Sequence, residues 1–292
     1  MFSQKKNLFD IQFYRMIKDI IRFNQQATKD VNNDKIMDNS LGQYLENYKF
    51  SKKFIEHHIV PMGSAIWSTP CEKMMNFPVK NFINFFNNHG LLSFKERPIW
   101  KVVKGGSYNY INSMMSMWKD VKIKLNAKIF KIKRYEDKVE IIANDKTYFF
   151  DQVIIATHAN QVLSLITDPS LEEIKVFNEW QYSSSKTYLH SDSSIMPPLK
   201  KIWSSWNFQR YENMQTNLTY YMNKLQKISS NINYFVSLGL DTSPKNIIYE
   251  TTYEHPIFTN QVIENRSIIQ KINGNNRTWY TGSYLGNGFH ED

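Results

Sequence analysis

Between residues 11 and 27 the apolar positions Ile11, Tyr14, Ile17, Ile20, Ile21 and Phe23 fall mostly three or four apart, with Lys and Arg between them. This spacing predicts an amphipathic helix with a basic outer face. Ser40 precedes Leu41, Tyr44, Leu45 and Tyr48, and Ser51 caps a segment carrying Phe54, Ile55, His58 and Ile59 that is expected to stop at Pro61. The chain reads mainly helical to about residue 95. Pro98 and the pair Gly105-Gly106 then punctuate it before a further helix over 108–118. Segments 121–125, 129–133, 139–143 and 147–150 alternate apolar and polar residues, with Asn144-Asp145 as a turn, and predict a β-meander.

Val153-Ile154-Ile155-Ala156 is a continuous apolar run closed by Thr157-His158, the pattern of a strand buried on both faces of a parallel sheet. A short helix is expected from Asn160. Segments 187–190, 202–206, 218–222 and 234–238 read as strands of a second, separate sheet, and 277–282 as a short strand entering a glycine-rich loop.

The chain has 292 residues, 41% of them hydrophobic, 22% charged and 15% aromatic, which suits one large or two interleaved cores with a broad apolar pocket. Lys and Arg number 36 against 27 acidic residues, for a formal charge of +9. The basic residues are scattered as pairs such as Lys52-Lys53 and Lys200-Lys201, without a long tract, so no specific nucleic-acid site is expected and peripheral membrane contact is the only other partner the charge suggests. One cysteine, Cys71, allows no intramolecular disulfide or cysteine metal cluster, and a cytoplasmic setting is expected. His57 and His58, being adjacent, point to different faces of a helix, so no metal site is assigned. Ser64 lacks the glycine framing of a hydrolase elbow.

Two constellations carry chemistry. Val103-Lys104-Gly105-Gly106-Ser107 is followed by a helix, a basic strand, the meander and then Val153 to Thr157, and Trp279-Tyr280-Thr281-Gly282-Ser283-Tyr284-Leu285-Gly286-Asn287-Gly288-Phe289-His290 forms a glycine-rich close. Glycines in such loops let backbone amides approach an anionic group closely. In this order the two resemble the FAD-dependent, amine-oxidase-like superfamily. Phe54-Ile55-Glu56-His57-His58, Asn88-His89-Gly90-Leu91-Leu92 and Tyr253-Glu254-His255-Pro256 are similar to a bacterial branch of predicted NAD/FAD-binding proteins, related to the flavin domain of plant cyclopropane fatty acid synthases.

The resemblance implies an α/β (α+β) protein: an incomplete FAD-binding, Rossmann-like domain with a β-meander, plus a substrate domain of helices and a mixed or antiparallel sheet. Residues 96–158 and 277–292 fall to the FAD half, and 1–95 (helical) with 159–276 (sheet) to the substrate half. It implies cofactor contacts at Gly105, Gly106, Ser107, Lys128, Ile129, Ala156, Thr157, Gly282, Ser283, Phe289, His290 and Glu291. A substrate pocket would use Met62, Trp67, His89, Trp100, Asn207 and Tyr221, with packing as the competing role for both tryptophans. Many relatives carry an acidic residue where this chain has Tyr284, which removes the usual polar contact.

The dinucleotide fingerprint GxGxxG occurs nowhere in the 292 residues. The resemblance implies hydride transfer to FAD from a lipid-like or amine substrate, this chain being an incomplete form of the enzyme, and leaves room for a separate chain that supplies the GxGxxG unit. The alternative is a non-catalytic remnant or one half of a split flavoprotein. No residue is identified as acid or base. Because the basic residues lie on outward faces, binding to short DNA or RNA duplexes should be weak and indifferent to sequence in a filter-binding assay; a tight complex with one defined sequence contradicts this.

Overall fold

The computed structural model describes residues 5–36, 38–94, 98–99, 101–210 and 216–289. The first layer is helical: α1 (Ile11–Asn32), α2 (Leu41–Asn47), α3 (Lys52–Phe54), α4 (Val60–Trp67), α5 (Cys71–Met74) and α6 (Val79–Asn88). Asp10 caps α1 by accepting the amides of Gln12 and Phe13, and α1 buries Phe13, Met16, Ile20 and Phe23. Phe23 packs among Tyr44, Phe50, Phe54 and Phe82, with ring centroids 5.7–6.4 Å away. Contrary to the sequence expectation, the chain does not break at Pro61. A π-helical turn over Ile55–Ile59 leads directly into α4, and Pro61, which has no N–H to donate, sits in the first turn of α4 just past it.

α7 (Tyr108–Met117) follows the Gly105-Gly106 turn and buries none of its residues. The meander is β1 (Ile129–Arg134), β2 (Val139–Ala143) and β3 (Lys146–Phe150), paired antiparallel in that order. Segment 121–125, read above as a strand, is not one. Its alternation has no neighbouring strand to pair with, and Val121, Ile123 and Leu125 are exposed.

β4 (Val153–Ile155) leads to α8 (Val162–Leu165) and α9 (Leu171–Phe177), and then to a five-stranded antiparallel sheet. Its members are β5 (Tyr182–His190), β6 (Trp206–Arg210), β7 (Thr216–Tyr221), β8 (Phe235–Leu238) and β9 (Ile247–Pro256), in the order β6-β7-β8-β5-β9, with α10 (Met222–Leu225) after β7. The first strand after the 3-10 turn at Lys200–Ile202 begins at Trp206, later than the 202–206 segment expected. α11 (Asn260–Ile272) returns the chain to β10 (Thr278–Tyr280). β10 pairs in parallel with β4, Thr278 opposite Val153, Trp279 opposite Ile154 and Tyr280 opposite Ile155.

Parallel sheets are ordinarily covered on both faces. Here Val153, Ile155 and Tyr280 are buried, whereas Ile154 and Trp279 on the other face are 67% and 42% exposed. α7 and the outward residues of the meander likewise leave large apolar side chains exposed.

A buried ionic knot holds the meander, α9 and β10 together. Arg134 donates to both Glu173 oxygens, at 2.6 and 2.9 Å, and to the Asp168 carboxylate at 3.1 Å and carbonyl at 2.7 Å. Glu173 also accepts from the Tyr280 hydroxyl at 2.5 Å and from the Ser170 amide at 2.7 Å. Burial pushes the Glu173 pKa up, but Arg134, Tyr280 and Ser170 outweigh it and hold the carboxyl below its ordinary value. Stability from this carboxylate is thus present above its unfolded value of 4.5 and is lost as pH falls through the lower folded one. Arg134→Met leaves Glu173 buried without its counter-charge. It should lower stability by about 3–5 kcal/mol in denaturant unfolding near neutral pH, whereas a loss under 1 kcal/mol would show that the knot is dispensable.

Candidate functional site

In open parallel sheets ligands bind beyond the carboxyl ends of the strands. The paired strands β4 and β10 run into Ala156-Thr157-His158 and Thr281-Gly282-Ser283 on the same side, and the Thr281 amide donates to the Ile155 carbonyl at 3.1 Å, extending the pairing one step. Gly282 has φ +151, and a Cβ there would lie 2.7 Å from the Tyr284 ring and 3.7 Å from the Thr157 carbonyl. Glycine is therefore required at this φ because a side chain would run into the buried Tyr284 ring, while the approach to the end of β4 is an ordinary contact. The loop then winds through a 3-10 turn over Ser283–Leu285 to Gly288, at φ +92.

Three side chains, Arg266, Trp67 and Phe85, fix the loop from behind. Arg266 on α11 donates to the carbonyls of Tyr284, at 3.0 Å, and Gly286. The Trp67 indole donates to the Asn287 carbonyl at 3.0 Å. Phe289 stacks on Phe85 with centroids 5.2 Å apart, and His89 stacks on the same ring at 4.0 Å. Tyr284 turns inward: it is 1% exposed, packs on Trp180 at 5.4 Å, and burial drives its pKa upward. The side chain two places after Gly282 therefore faces the core and not the loop's outer side.

The structure brings Trp67, His89 and Phe289 together with Gly282 and Ser283 through this loop, while Ala156 and Thr157 lie at the adjoining strand end. Met62 is half-buried against the core. Gly105, at φ +78, and Gly106, at φ +90, form the exposed turn before α7; Ser107 is exposed there too. Exposed Lys128 and 37%-exposed Ile129 begin the meander, the Lys128 amide donating to Asn144 at 2.9 Å. Asn207 closes the turn at Ser204 through bonds of 2.9 and 2.6 Å, and Tyr221 donates to Asn233 at 2.9 Å. Trp100, His290 and Glu291 lie outside the described residues. The adjacent histidines at 57 and 58 have separate surroundings. His58 packs on Phe54 at 5.7 Å, and burial pushes its pKa down to about 4, so it is neutral.

A cleft of about 400 Å3 opens between the α4–α5 corner and the five-stranded sheet, lined by Ser68, Thr69, Cys71, Ser185, Asn217 and Leu218 among others. Ser68 adopts a left-handed conformation, φ +49, to make that corner, and the Ser64 hydroxyl closes it on the Thr69 carbonyl at 2.6 Å. A second polar group spans the seam between the strand ends and the sheet. His158 stacks on Tyr182 at 4.6 Å, with its Nδ1 3.5 Å from the Glu254 carboxylate, and the neighbouring imidazole is His255. Sequence reading gave these residues no role; the motif Tyr253-Glu254-His255-Pro256 was the available signal.

The strand ends and glycine loop fit the flavin side of an FAD. Glycine backbone lies at the carboxyl end of a parallel pair, and Arg266 and Trp67 brace the loop that follows. The comparisons agree with that class. Residues 9–229 match the family of flavin containing amine oxidoreductases, and the chain belongs to that family. By structure it is similar to the CLA-producing fatty acid isomerase from P. acnes, at TM-score 0.66 and 14% identity over 96% of this chain and 72% of that one. It is also similar to putrescine oxidase bound to putrescine, at TM-score 0.65 and 11% identity over 94% and 71%, and to cyclohexylamine oxidase from Brevibacterium oxydans IH-35A, at 0.59 and 8% over 86% and 63%. At these identities the likeness is one of fold, and it supports the α/β class. No curated protein sequence matches the chain.

Gly282→Ala tests the close approach. The added methyl meets a fully buried ring that has no free side to move to, at a φ that L-residues avoid. Stability should fall by about 1–3 kcal/mol in denaturant unfolding, and an unchanged midpoint would show that the loop does not run this way.

Proposed function

We propose that this chain carries the substrate-binding and flavin-facing parts of an FAD-dependent oxidoreductase that removes hydride from a C–H bond of an amine or lipid-like small molecule. The observation that carries the reading is the parallel β4–β10 pair with the glycine turn at Gly282, placed beside a separate antiparallel sheet. Flavin, when bound, supplies the hydride acceptor. Thr157, Gly282 and Ser283 would hold it at the strand ends, and Phe289, stacked on Phe85, would line the ring-side wall. The protein's own part is orientation of the substrate and exclusion of water. The cleft over the sheet, with its hydroxyls and one apolar wall, is the substrate site in this reading.

The open apolar face favours completion of the site by a further unit. Ile154 and Trp279 stay exposed, α7 buries none of its residues, and the glycine turn that cradles a pyrophosphate is not among the 292 residues. A dinucleotide-binding strand–helix–strand unit on a separate chain suits this face, and a single cysteine suits a cytoplasmic setting. Among the described residues no helix is long and apolar enough to cross a membrane.

Flavin absorbance tests the reading. The 292 residues alone should purify with far less than one FAD per chain, and the same residues joined to the GxGxxG-bearing unit of a family member should hold FAD stoichiometrically. An empty joined protein would sink the flavin reading, and a full complement of FAD on the short chain would show that the further unit is unnecessary.

A further inference from the structure

Helix α1 sorts its charges by side. Its acids, Asp19 and Asp30, are both buried. Asp19 accepts the Ser51 amide at 2.9 Å and pairs with Arg22 at 3.2 Å, and Asp30 accepts from Tyr44 at 2.6 Å and from Gln26 at 2.8 Å. Its bases, Arg15, Lys18, Arg22 and Lys29, are all exposed. Arg22 is tied to Asp19 and to the carbonyls of Tyr48 and Lys49, whereas Arg15 and Lys18 form no ion pair among the described residues.

The same outward side carries large apolar residues. Ile11, Tyr14, Lys18 and Ile21 follow one another at helical spacing, which sets them in one line along α1, and the three apolar members of that line are exposed. The preceding 3-10 turn over Lys5–Phe9 adds exposed Leu8 and Phe9. Phe9 is 90% and Ile11 85% exposed, one on either side of the cap Asp10. The corner is held in place: Asp10 pairs with Lys53 of α3, and the Tyr14 hydroxyl donates to the Leu8 carbonyl at 3.0 Å. Pairing with Lys53 also neutralises the acid nearest to Phe9 and Ile11. Single exposed apolar side chains are ordinary on a protein surface. Here they alternate with bases along one helix face whose acids are turned to the core.

We propose that this face, led by Phe9 and Ile11, docks α1 along the surface of an anionic phospholipid bilayer. Aromatic and aliphatic side chains enter the boundary between headgroups and acyl chains, while Lys and Arg stay among the phosphates. Charge of one sign selects an anionic lipid surface over a neutral one, and the apolar anchors distinguish the contact from a purely electrostatic one. The helix lies on the bilayer and does not enter it, because its opposite side packs Phe13, Met16, Ile20 and Phe23 into the core. The proposal goes beyond the oxidoreductase reading and does not rest on it, and the β4–β10 face assigned above to a further unit takes no part. A few shallow side chains and exposed bases give a peripheral, reversible contact that salt weakens.

Vesicle co-sedimentation of the 292-residue chain tests this. The protein should pellet with phosphatidylcholine vesicles that contain phosphatidylserine, stay behind with phosphatidylcholine alone, and be released as salt is raised. Phe9→Gln/Ile11→Gln should weaken binding to the anionic vesicles on the order of 10-fold, and so should Arg15→Gln/Lys18→Gln. All four side chains are exposed, so both variants should keep the wild-type unfolding midpoint. Lys138→Gln/Phe149→Gln removes a similar exposed base and ring from the meander and should bind as the wild type does. No binding to the anionic vesicles, or an equal loss in the meander variant, overturns the proposal. An effect of the bases without one of Phe9 and Ile11 overturns it too, since the contact would then be charge alone. A concentration-dependent dimer in sedimentation velocity that only Phe9→Gln/Ile11→Gln abolishes would assign the face to a second copy of the chain instead.

Discussion

The structure depends on one long-range constraint, the parallel pairing of β4 with β10. These strands are three residues each, and the whole five-stranded sheet lies between them in the chain. Closing so long an excursion onto so short a pairing is entropically costly, and three ladder positions do not offset it alone. The ionic knot does the rest. Arg134 from the meander, Glu173 from α9 and Tyr280 from β10 meet in one buried cluster, so the strand ends are held by charge-assisted bonds as well as by the ladder. Removing either charge would leave the other stranded, which makes the cluster an all-or-none clasp.

The site follows from where that clasp puts the strand ends. Once β4 and β10 run side by side, Thr157 and Gly282 must come together, and the glycine loop is pressed between α11 and the helical layer by Arg266 and Trp67. The same placement sets His158 over β5 and β9, at the junction of the two sheets. At the opposite ends of the same strands Asn276 and Arg277 both take left-handed backbone, and Arg277 caps the carbonyls of Glu136 and Asp151.

Short-range pattern carried much of this. The apolar run Val153-Ile154-Ile155, the meander and the glycine-rich close all stand where periodicity and turn chemistry put them. Long-range contacts were not readable. Arg266 sits in a segment rich in Asn, Gln, Glu and Ser, whose helix α11 has a weak apolar stripe and draws its order from burial of Val262, Ile269 and Ile272. β9 gave no clear alternation because most of its residues are exposed, and it exists through pairing along the whole length of β5. The reverse error occurred at 121–125, where alternation is present and a pairing partner is not. Tyr284 shows the same limit at the site: its position in the motif suggests an outward contact, and packing against Trp180 and Phe177 turns it inward.

Amide hydrogen exchange at Thr281 reports on the central claim most directly, since its N–H bonds to the Ile155 carbonyl across the strand pair and to no local carbonyl. If β4 and β10 form the clasped pair described, Thr281 should exchange as slowly as the core amides of α9, through global unfolding. Exchange at the rate of the exposed turn before α7 would mean that the strand ends are not held together, and the flavin-side cradle built on them would not exist.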